Sequence, residues 1–325
     1  TYQPNYASTS CILAEPGHWV ESDGASQTQS CPLGTYGTSV GAVGIETCIS
    51  ADPGYYVDST GASSQLECIA GTYNPVIGAI SSADCLAADA GNYVESSGSS
   101  EQTPCALGTY QPNSGQIFCL ESSSGTYVSN TGSSSVSDCS EGTYQPNSGQ
   151  SECIDTSPGY FTSSVRASVQ TPCLAGSYQP DAGSINCLQA DAGYHVPIEG
   201  QNMQTICPAG QYQPQPSSTE CLITNPGEYS SEGSTSPSPC LAGSYQSDSG
   251  QSGCVLADAG YYSSEISSIE QTSCQPGEYQ SLTGQSSCIS AARGHYVDST
   301  AATEEIPCDV GSYQPFMSST ECMLA

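Results

Sequence analysis

The chain has 325 residues, of which only 8% are aromatic, and its 32 acidic residues outnumber two basic ones to give a net charge of −30. A surface of this charge repels phosphate and anionic lipid, which disfavours nucleic acid as a partner. Because large apolar side chains are scarce, one large hydrophobic core is excluded. Short units then need covalent cross-links to offset the entropy of ordering their backbone.

The cysteine content indicates the compartment. Nineteen cysteines are spread over the whole chain. Small cysteine-dense modules are typical of oxidising compartments, so we expect an extracellular or cell-surface location. No apolar run approaches the roughly 20 residues that cross a bilayer, so no membrane span is expected in this sequence.

The cysteine spacing reveals a tandem repeat. From Cys85 onward the intervals between cysteines alternate between 14 and 20 residues, with a single 19. This fixed period of 34 residues predicts an array in which each unit meets mainly its neighbours. In chain order, the expected units are a partial repeat at 1–11, repeats at 12–48, 49–85, 86–119, 120–153, 154–187, 188–221, 222–254 and 255–288, and a last repeat with a tail at 289–325.

The first residues suggest a chain that continues upstream. Thr1 lies ten residues before Cys11, as Thr109 lies ten before Cys119, but the C-x-x-G that precedes Thr109 has no counterpart here. We therefore expect this sequence to be a window on a longer chain, or a mature product cut inside a repeat.

The next two units are irregular. Cys31 to Cys48 and Cys68 to Cys85 each contain three extra residues. Their central segments, residues 38–46 and 75–82, are called the long loops below. Insertions in repeat arrays fall in loops on one face, and clustered aliphatics mark contact surfaces. The hypothesis is that the long loops dock onto a neighbouring copy, and the alternative is local filling beneath a longer loop. The candidate contact residues are Val40, Val43, Ile45, Val76, Ile77 and Ile80.

Each repeat divides into two similar half-units. Gly, any residue, then an aromatic recurs about every 17 residues, as in Gly108 with Tyr110 and Gly125 with Tyr127. A second Gly follows seven residues later, after polar pairs such as Asn113-Ser114, which signals a tight turn. Pro and Gly interrupt every helical window. The predicted fold class is mainly β, small and disulfide-rich, with two short β-hairpin half-units per repeat and almost no helix.

Two disulfide pairings are physically allowed. Pairing over 14 residues closes one hairpin and is worth about 3 kcal/mol in the chain-entropy model, whereas pairing over 20 residues encloses the cysteine-free half-unit. The shorter pairing is preferred because it links both ends of one hairpin and forms nine complete pairs. Cys11 is then unpaired, with its expected partner three places before the numbering begins, and under the other pairing Cys322 is left over. The preferred pairs are Cys31–Cys48, Cys68–Cys85, Cys105–Cys119, Cys139–Cys153, Cys173–Cys187, Cys207–Cys221, Cys240–Cys254, Cys274–Cys288 and Cys308–Cys322.

The sequence contains no recognisable metal-binding or catalytic motif. The three histidines are far apart in sequence, and neither C-x-x-C nor H-E-x-x-H occurs, so no metal site or other cofactor is expected. No nucleophile elbow is found, and no enzyme activity is expected. Weak calcium binding is considered for four carboxylates before the Gly of the cysteine-free half-unit, with plain solvation as the alternative. These carboxylates are Asp52, Asp89, Asp191 and Asp258, and the histidines are His18, His195 and His295.

The repeating aromatics and serines each have two interpretations. The Tyr is expected to pack on the adjacent hairpin or disulfide, with a carbohydrate-stacking surface as the alternative. No N-x-[S/T] acceptor occurs. The serine runs Ser122–Ser124 and Ser133–Ser135 are candidate O-glycan acceptors, and plain loop solubility is the alternative for them.

The motif C-x-x-G-x-Y-x(8)-C, present as Cys139 to Cys153 and Cys274 to Cys288, resembles the cysteine-rich repeats of tumour-necrosis-factor-receptor and ephrin-receptor type. The resemblance implies elongated ectodomains of stacked, disulfide-linked small β modules, with the two cysteines of this motif joined. Those families usually carry further cysteines, and the second half-unit here has none, so receptor function does not transfer.

The sequence favours an extracellular structural protein. Gly-Thr-Tyr-Gln-Pro-Asn-Ser-Gly-Gln occurs at 108–116 and again at 142–150, and such near-identity is typical of a structural or adhesive surface protein. The expected function is a subunit of a filament or surface appendage, with copies of itself and glycans as candidate partners. The alternative is the stalk of an adhesin or receptor-like ectodomain.

Overall fold

The computed structural model describes residues 1–5 and 10–325 and contains a two-stranded antiparallel hairpin in each half-unit from residue 12 onward. Every strand is two residues long, because Pro and Gly interrupt longer pairing and leave room only for the residues around the Gly-x-aromatic motif. The expected β class is confirmed. The part of the chain just defined contains no α-helix.

The first kind of hairpin lies in the half-unit that contains the disulfide, the cysteine half-unit. Its first strand carries the Tyr of the motif, and its second strand follows the second cysteine directly. The strand pairs are β3–β4 (Thr35–Tyr36, Ile49–Ser50), β7–β8 (Thr72–Tyr73, Leu86–Ala87), β11–β12 (Thr109–Tyr110, Leu120–Glu121), β15–β16 (Thr143–Tyr144, Ile154–Asp155), β19–β20 (Ser177–Tyr178, Leu188–Gln189), β23–β24 (Gln211–Tyr212, Leu222–Ile223), β27–β28 (Ser244–Tyr245, Val255–Leu256), β31–β32 (Glu278–Tyr279, Ile289–Ser290) and β35–β36 (Ser312–Tyr313, Met323–Leu324).

The second kind lies in the cysteine-free half-unit. Its second strand ends just before the first cysteine of the next half-unit. The strand pairs are β1–β2 (His18–Trp19, Gln29–Ser30), β5–β6 (Tyr55–Tyr56, Leu66–Glu67), β9–β10 (Asn92–Tyr93, Thr103–Pro104), β13–β14 (Thr126–Tyr127, Ser137–Asp138), β17–β18 (Tyr160–Phe161, Thr171–Pro172), β21–β22 (Tyr194–His195, Thr205–Ile206), β25–β26 (Glu228–Tyr229, Ser238–Pro239), β29–β30 (Tyr261–Tyr262, Thr272–Ser273) and β33–β34 (His295–Tyr296, Ile306–Pro307).

The three extra residues of the irregular units form short helical turns. A 3₁₀ turn covers Ile45–Thr47 in the first irregular unit and Ser82–Asp84 in the second. In the second turn the Ser81 hydroxyl accepts from the Ala83 amide at 3.1 Å, and Asp84 accepts from the Ser81 amide at 3.1 Å. These bonds satisfy the free amides at the start of the turn. No helix among the described residues is long and apolar enough to cross a membrane.

The loop between paired strands is longer than the expected tight turn. In β11–β12 it covers residues 111–119, and Gly115 holds a left-handed backbone with φ 70°. The polar-polar-Gly pattern therefore marks a bend within a loop that the disulfide closes, instead of a two-residue turn. Five non-glycine residues take this left-handed conformation at the same position of their half-units, at about 1–2 kcal/mol each; they are Arg166, Ser217, Ser267, Ala301 and Ser318.

The chain forms two compact units, and main-chain bonds connect the hairpins within each. Unit 1 comprises Thr1–Asp155 with Ser164–Val169. Here the Gly91 amide donates to the Gln111 carbonyl of the next half-unit at 2.8 Å. The Gly132 amide belongs to the half-unit after that one, and it donates back to the Cys105 carbonyl at 2.8 Å. The cysteine half-unit that contains Cys105 and Gln111 is thus bonded to the half-units on both sides of it.

Unit 2 comprises Thr156–Ser163 with Gln170–Ala325 and repeats this pattern. The Gly193 amide donates to the Gln213 carbonyl, and the Gly233 amide donates to the Cys207 carbonyl, both at 2.8 Å. A Cβ on Gly193 would lie 2.3 Å from the Gly233 oxygen, so only glycine permits this approach.

The core of both units is narrow and made of small side chains. Fully buried members include Ala51, Ala88, Ala190, Ala257, Val57, Val196 and most first cysteines.

Candidate functional site

Nine disulfides close the cysteine half-units. The structure joins the cysteines across the shorter intervals, with Cα–Cα distances of 5.5–5.8 Å. The first cysteine of each bridge from Cys31 to Cys274 is buried. Cys11 is free and exposed. The joined pairs are Cys31–Cys48, Cys68–Cys85, Cys105–Cys119, Cys139–Cys153, Cys173–Cys187, Cys207–Cys221, Cys240–Cys254, Cys274–Cys288 and Cys308–Cys322.

A buried glutamine holds the loop of each regular cysteine half-unit. Gln145 is 2% exposed, and its Nε2 donates to the Glu152 carbonyl at 2.8 Å while its Oε1 accepts from the Asn147 amide at 3.0 Å. The Gln belongs to the recurring Tyr-Gln-Pro pattern, from which no role was predicted for it. The recurrence of Gln was the available signal. The same pair of hydrogen bonds is made by Gln111, Gln179, Gln213, Gln246, Gln280 and Gln314. We call this arrangement the glutamine clasp.

The four carboxylates considered for calcium take part in a related contact. The Asp52 amide donates to Gln65 Oε1 at 2.7 Å, and Gln65 Nε2 donates to the Asp52 carboxylate at 2.8 Å. These carboxylates are therefore loop-closing acceptors. The spacing Asp-x(12)-Gln, which recurs in the sequence, was the missed signal. The equivalent pairs are Asp89 with Gln102, Asp191 with Gln204, and Asp258 with Gln271.

The long loops present their aliphatic side chains to solvent. Val76 is 60% and Ile77 is 67% exposed, so these side chains do not fill space beneath the loop. A cleft of about 500 Å³ runs along the second long loop between Val76, Ile80 and Leu86. The other candidate contact residues, Val40, Val43, Ile45 and Ile80, are 41–61% exposed.

The repeating aromatic ring lies beside a disulfide. Tyr93 and Cys119 line one cleft of about 290 Å³, and Tyr127 and Cys153 line another of about 270 Å³. In both cases the ring precedes the second cysteine of the following half-unit by 26 residues. Both rings are half-buried. This geometry agrees with packing against a disulfide as the role of the Tyr.

The three histidines have different surroundings. His195 Nδ1 lies 3.1 Å from Cys221 Sγ, and a ring nitrogen of His195 lies within 4.8 Å of both sulfurs of Cys207–Cys221. Because both thiols are used in the disulfide, they do not act as thiolate metal ligands in this state. His18 Nδ1 lies 3.4 Å from the Pro16 carbonyl, and His295 Nδ1 lies 3.9 Å from Glu305.

Two charged contacts lie on the surface. Arg166 Nε lies 3.8 Å from Asp138. The hydrogen bond and the charge of the Thr1 ammonium group lower the pKa of Asp23.

Ser122 does not fit the expectation of an O-glycan acceptor. It is fully buried at the position that Ala88 takes in the preceding cysteine half-unit, whereas its neighbours Ser123 and Ser124 are exposed.

Comparison with known families agrees with this architecture. Residues 91–139 match the family model described as tyrosine-protein kinase ephrin type A/B receptor-like. This segment is similar to ephrin-receptor-like cysteine-rich repeats, and the nine disulfides continue its spacing in tandem along the chain. This confirms the expected resemblance, and the matched residues span one cysteine half-unit with the cysteine-free half-units before and after it. Ephrin-receptor-like repeats with many disulfides are typical of extracellular domains. No curated protein matches the chain.

Proposed function

We propose that the chain is a non-enzymatic structural component of an extracellular assembly, and that its copies associate into a filament or surface appendage. The observation that carries the proposal is the exposure of the long loops. Six aliphatic side chains on these two loops are 41–67% exposed. Clustered exposed apolar side chains on a polar chain are typical of protein contacts.

The two long loops belong to successive members of one stack. A Cβ on Gly34 would lie 2.4 Å from the Gly78 carbonyl and 3.0 Å from the Ile80 side chain. The cysteine half-units that carry the loops are therefore in direct contact. A partner that binds one loop can thus bind the other at the same time, and two linked contacts bind more tightly than either one alone.

The electrostatics of the chain give this association a salt dependence. Each copy carries a net charge of −30, so two copies repel each other at low ionic strength. We expect the associated fraction to increase as salt is raised, because screening weakens this repulsion while the apolar contact persists.

The test is sedimentation velocity at micromolar concentration together with electron microscopy. V76S combined with I77S should reduce the associated fraction, and V40S combined with I45S should do the same. Ile198, which is 60% exposed in a regular repeat, provides the matched control, and I198S should associate as the parent does. A parent that stays monomeric at every salt concentration, or loop variants that associate normally, would overturn the proposal.

A second function is the stalk of an adhesin or receptor-like ectodomain. The match of residues 91–139 to the ephrin-receptor-like family model supports it. A stalk holds another domain at a distance and needs no contact between its copies. Monomers that bury no intermolecular surface at the long loops would favour the stalk, whereas repeated contacts of more than about 1,000 Å² would favour the filament.

A further inference from the structure

One disulfide of the array has an ionisable group against its sulfur. His195 occupies the aromatic position of its cysteine-free half-unit, 26 residues before Cys221. Its Nδ1 lies 3.1 Å from Cys221 Sγ. The same position in the other cysteine-free half-units carries a Trp, Tyr or Phe, namely Trp19, Tyr56, Tyr93, Tyr127, Phe161, Tyr229, Tyr262 and Tyr296.

The other rings cannot supply what an imidazole supplies. Tyr and Phe rings contain no nitrogen, so a ring such as Tyr127, which lines a cleft together with Cys153, offers the sulfur no ring proton donor or acceptor of this kind. The Trp19 indole nitrogen has no hydrogen-bond partner among the described residues. A disulfide sulfur has no hydrogen to donate, so the contact at His195 is a hydrogen bond when Nδ1 carries the proton. Nε2 then has a free lone pair.

We propose that Cys207–Cys221 is a thiol–disulfide exchange site, that its co-reactant is a small thiol of the glutathione class, and that His195 moves the proton. Cys207 is fully buried, whereas Cys221 is half-buried, so the incoming thiol attacks Cys221. The hydrogen bond from Nδ1 withdraws electron density from Cys221 Sγ and favours this attack. General acid–base assistance of this kind typically raises rates by about 10²–10⁴.

The exchange balances in atoms and electrons. His195 accepts the proton of the incoming thiol, and the resulting thiolate forms a new S–S bond with Cys221 Sγ. The Cys207–Cys221 bond breaks, its electron pair goes to Cys207 Sγ, and the imidazolium returns the proton to that sulfur. A ring nitrogen of His195 lies within 4.8 Å of both sulfurs, a separation that one bridging water can span for the transfer to Cys207. The products are a mixed disulfide at Cys221 and a free Cys207 thiol.

The experiment measures the opening rate of each disulfide in the intact chain. The protein is exposed to reduced glutathione, quenched at intervals and alkylated, and the modified cysteines are identified by peptide mass spectrometry. We expect Cys207–Cys221 to open at least about 10-fold faster than Cys173–Cys187. The two bridges enclose the same number of residues and lie in the same unit, which makes them a fair comparison.

Two reciprocal variants separate the chemistry from simple exposure. H195Y should slow the opening of Cys207–Cys221 to the rate of Cys173–Cys187. F161H places an imidazole 26 residues before Cys187 and should accelerate the opening of Cys173–Cys187. Retention of all disulfides before treatment is the folding check, and F161H remains informative if H195Y does not fold. Equal rates for the two bridges in the parent, or no change in either variant, would overturn the proposal.

Discussion

The regularly spaced glycines allow a left-handed backbone and close packing because they have no Cβ. The Gly108 backbone has φ 79°, and a Cβ built on it would lie 2.0 Å from the Gly149 carbonyl oxygen. Gly294 has nearly the same φ, 82°, and nothing lies within 4 Å of its Cβ position. The amides of both residues donate in the same way, to Val128 and to Gln314. The two positions therefore separate the backbone requirement from the packing requirement.

At Gly108, substitution by Ala should be costly. We expect G108A to lose about 1–2 kcal/mol from the left-handed backbone and a further loss of about 1–3 kcal/mol from overpacking against Gly149. G294A should lose only the first amount. Segment-resolved hydrogen exchange measures both, because it reports local opening in an array that does not unfold in one step. Equal losses in the two variants would show that the close approach to Gly149 contributes nothing.

Local motifs were predictable from the sequence, whereas contacts between half-units were not. The Gly-x-aromatic motif predicted the hairpins because the same local pattern recurs in every half-unit. The contact of His195 with Cys221 could not be predicted, since it joins residues 26 apart through the stacking of two half-units. The position of His195 in the aromatic series was visible, but the motif gave no indication of which sulfur the ring meets.

The hairpin is the element that the cross-links and clasps stabilise. Its strands are two residues long, so their ladder alone is too short to hold it. The disulfide closes the loop at its ends, and the glutamine clasp fixes the middle. Sequence spacing predicted the hairpin and allowed two pairings of cysteines. It did not predict the clasp, because a Gln in a loop is usually solvent-exposed, whereas this Gln is buried and bonds to the main chain of its own loop.

Removal of one clasp should loosen one loop. We expect Q145A to cost about 1–3 kcal/mol locally, since two hydrogen bonds of about 0.5–1.5 kcal/mol each are lost. The Asn147 amide, which donates to Gln145 Oε1, should exchange faster with solvent. The matched control is Q150A, because Gln150 is exposed and its Nε2 donates only to the Ser148 carbonyl. Unchanged exchange at Asn147 in Q145A would contradict this role.

At the scale of the whole molecule, stability is expected to be local. The main-chain hydrogen bonds described above reach only the neighbouring half-unit, which is typical of repeat arrays. The sequence predicted this arrangement from its period alone. The period does not reveal that the chain forms two compact units, because the 14- and 20-residue spacing of the cysteines continues unchanged past Asp155, where unit 1 ends apart from Ser164–Val169.

The loss of stability on deleting one disulfide should therefore be confined to the half-units next to it. C139S combined with C153S should cost about 3 kcal/mol in the chain-entropy model. We expect the loss of hydrogen-exchange protection near residues 125–155 and unchanged protection in unit 2, for example at the Gly277 amide, which donates to Val297. C11S, which removes a free thiol, is the control and should change neither region. Loss of protection throughout the chain would contradict nearest-neighbour coupling.

The main-chain bonding between half-units has one more consequence. Hydrogen bonds between peptide groups, together with glycines at the points of closest approach, hold successive half-units together. Most outward side chains therefore have no part in maintaining the spacing. Whole blocks of 34 residues can be duplicated or lost, and surface residues exchanged, while the remaining blocks keep their bonds. Length and surface chemistry are thus independent variables, and natural selection can adjust either one without rebuilding the other.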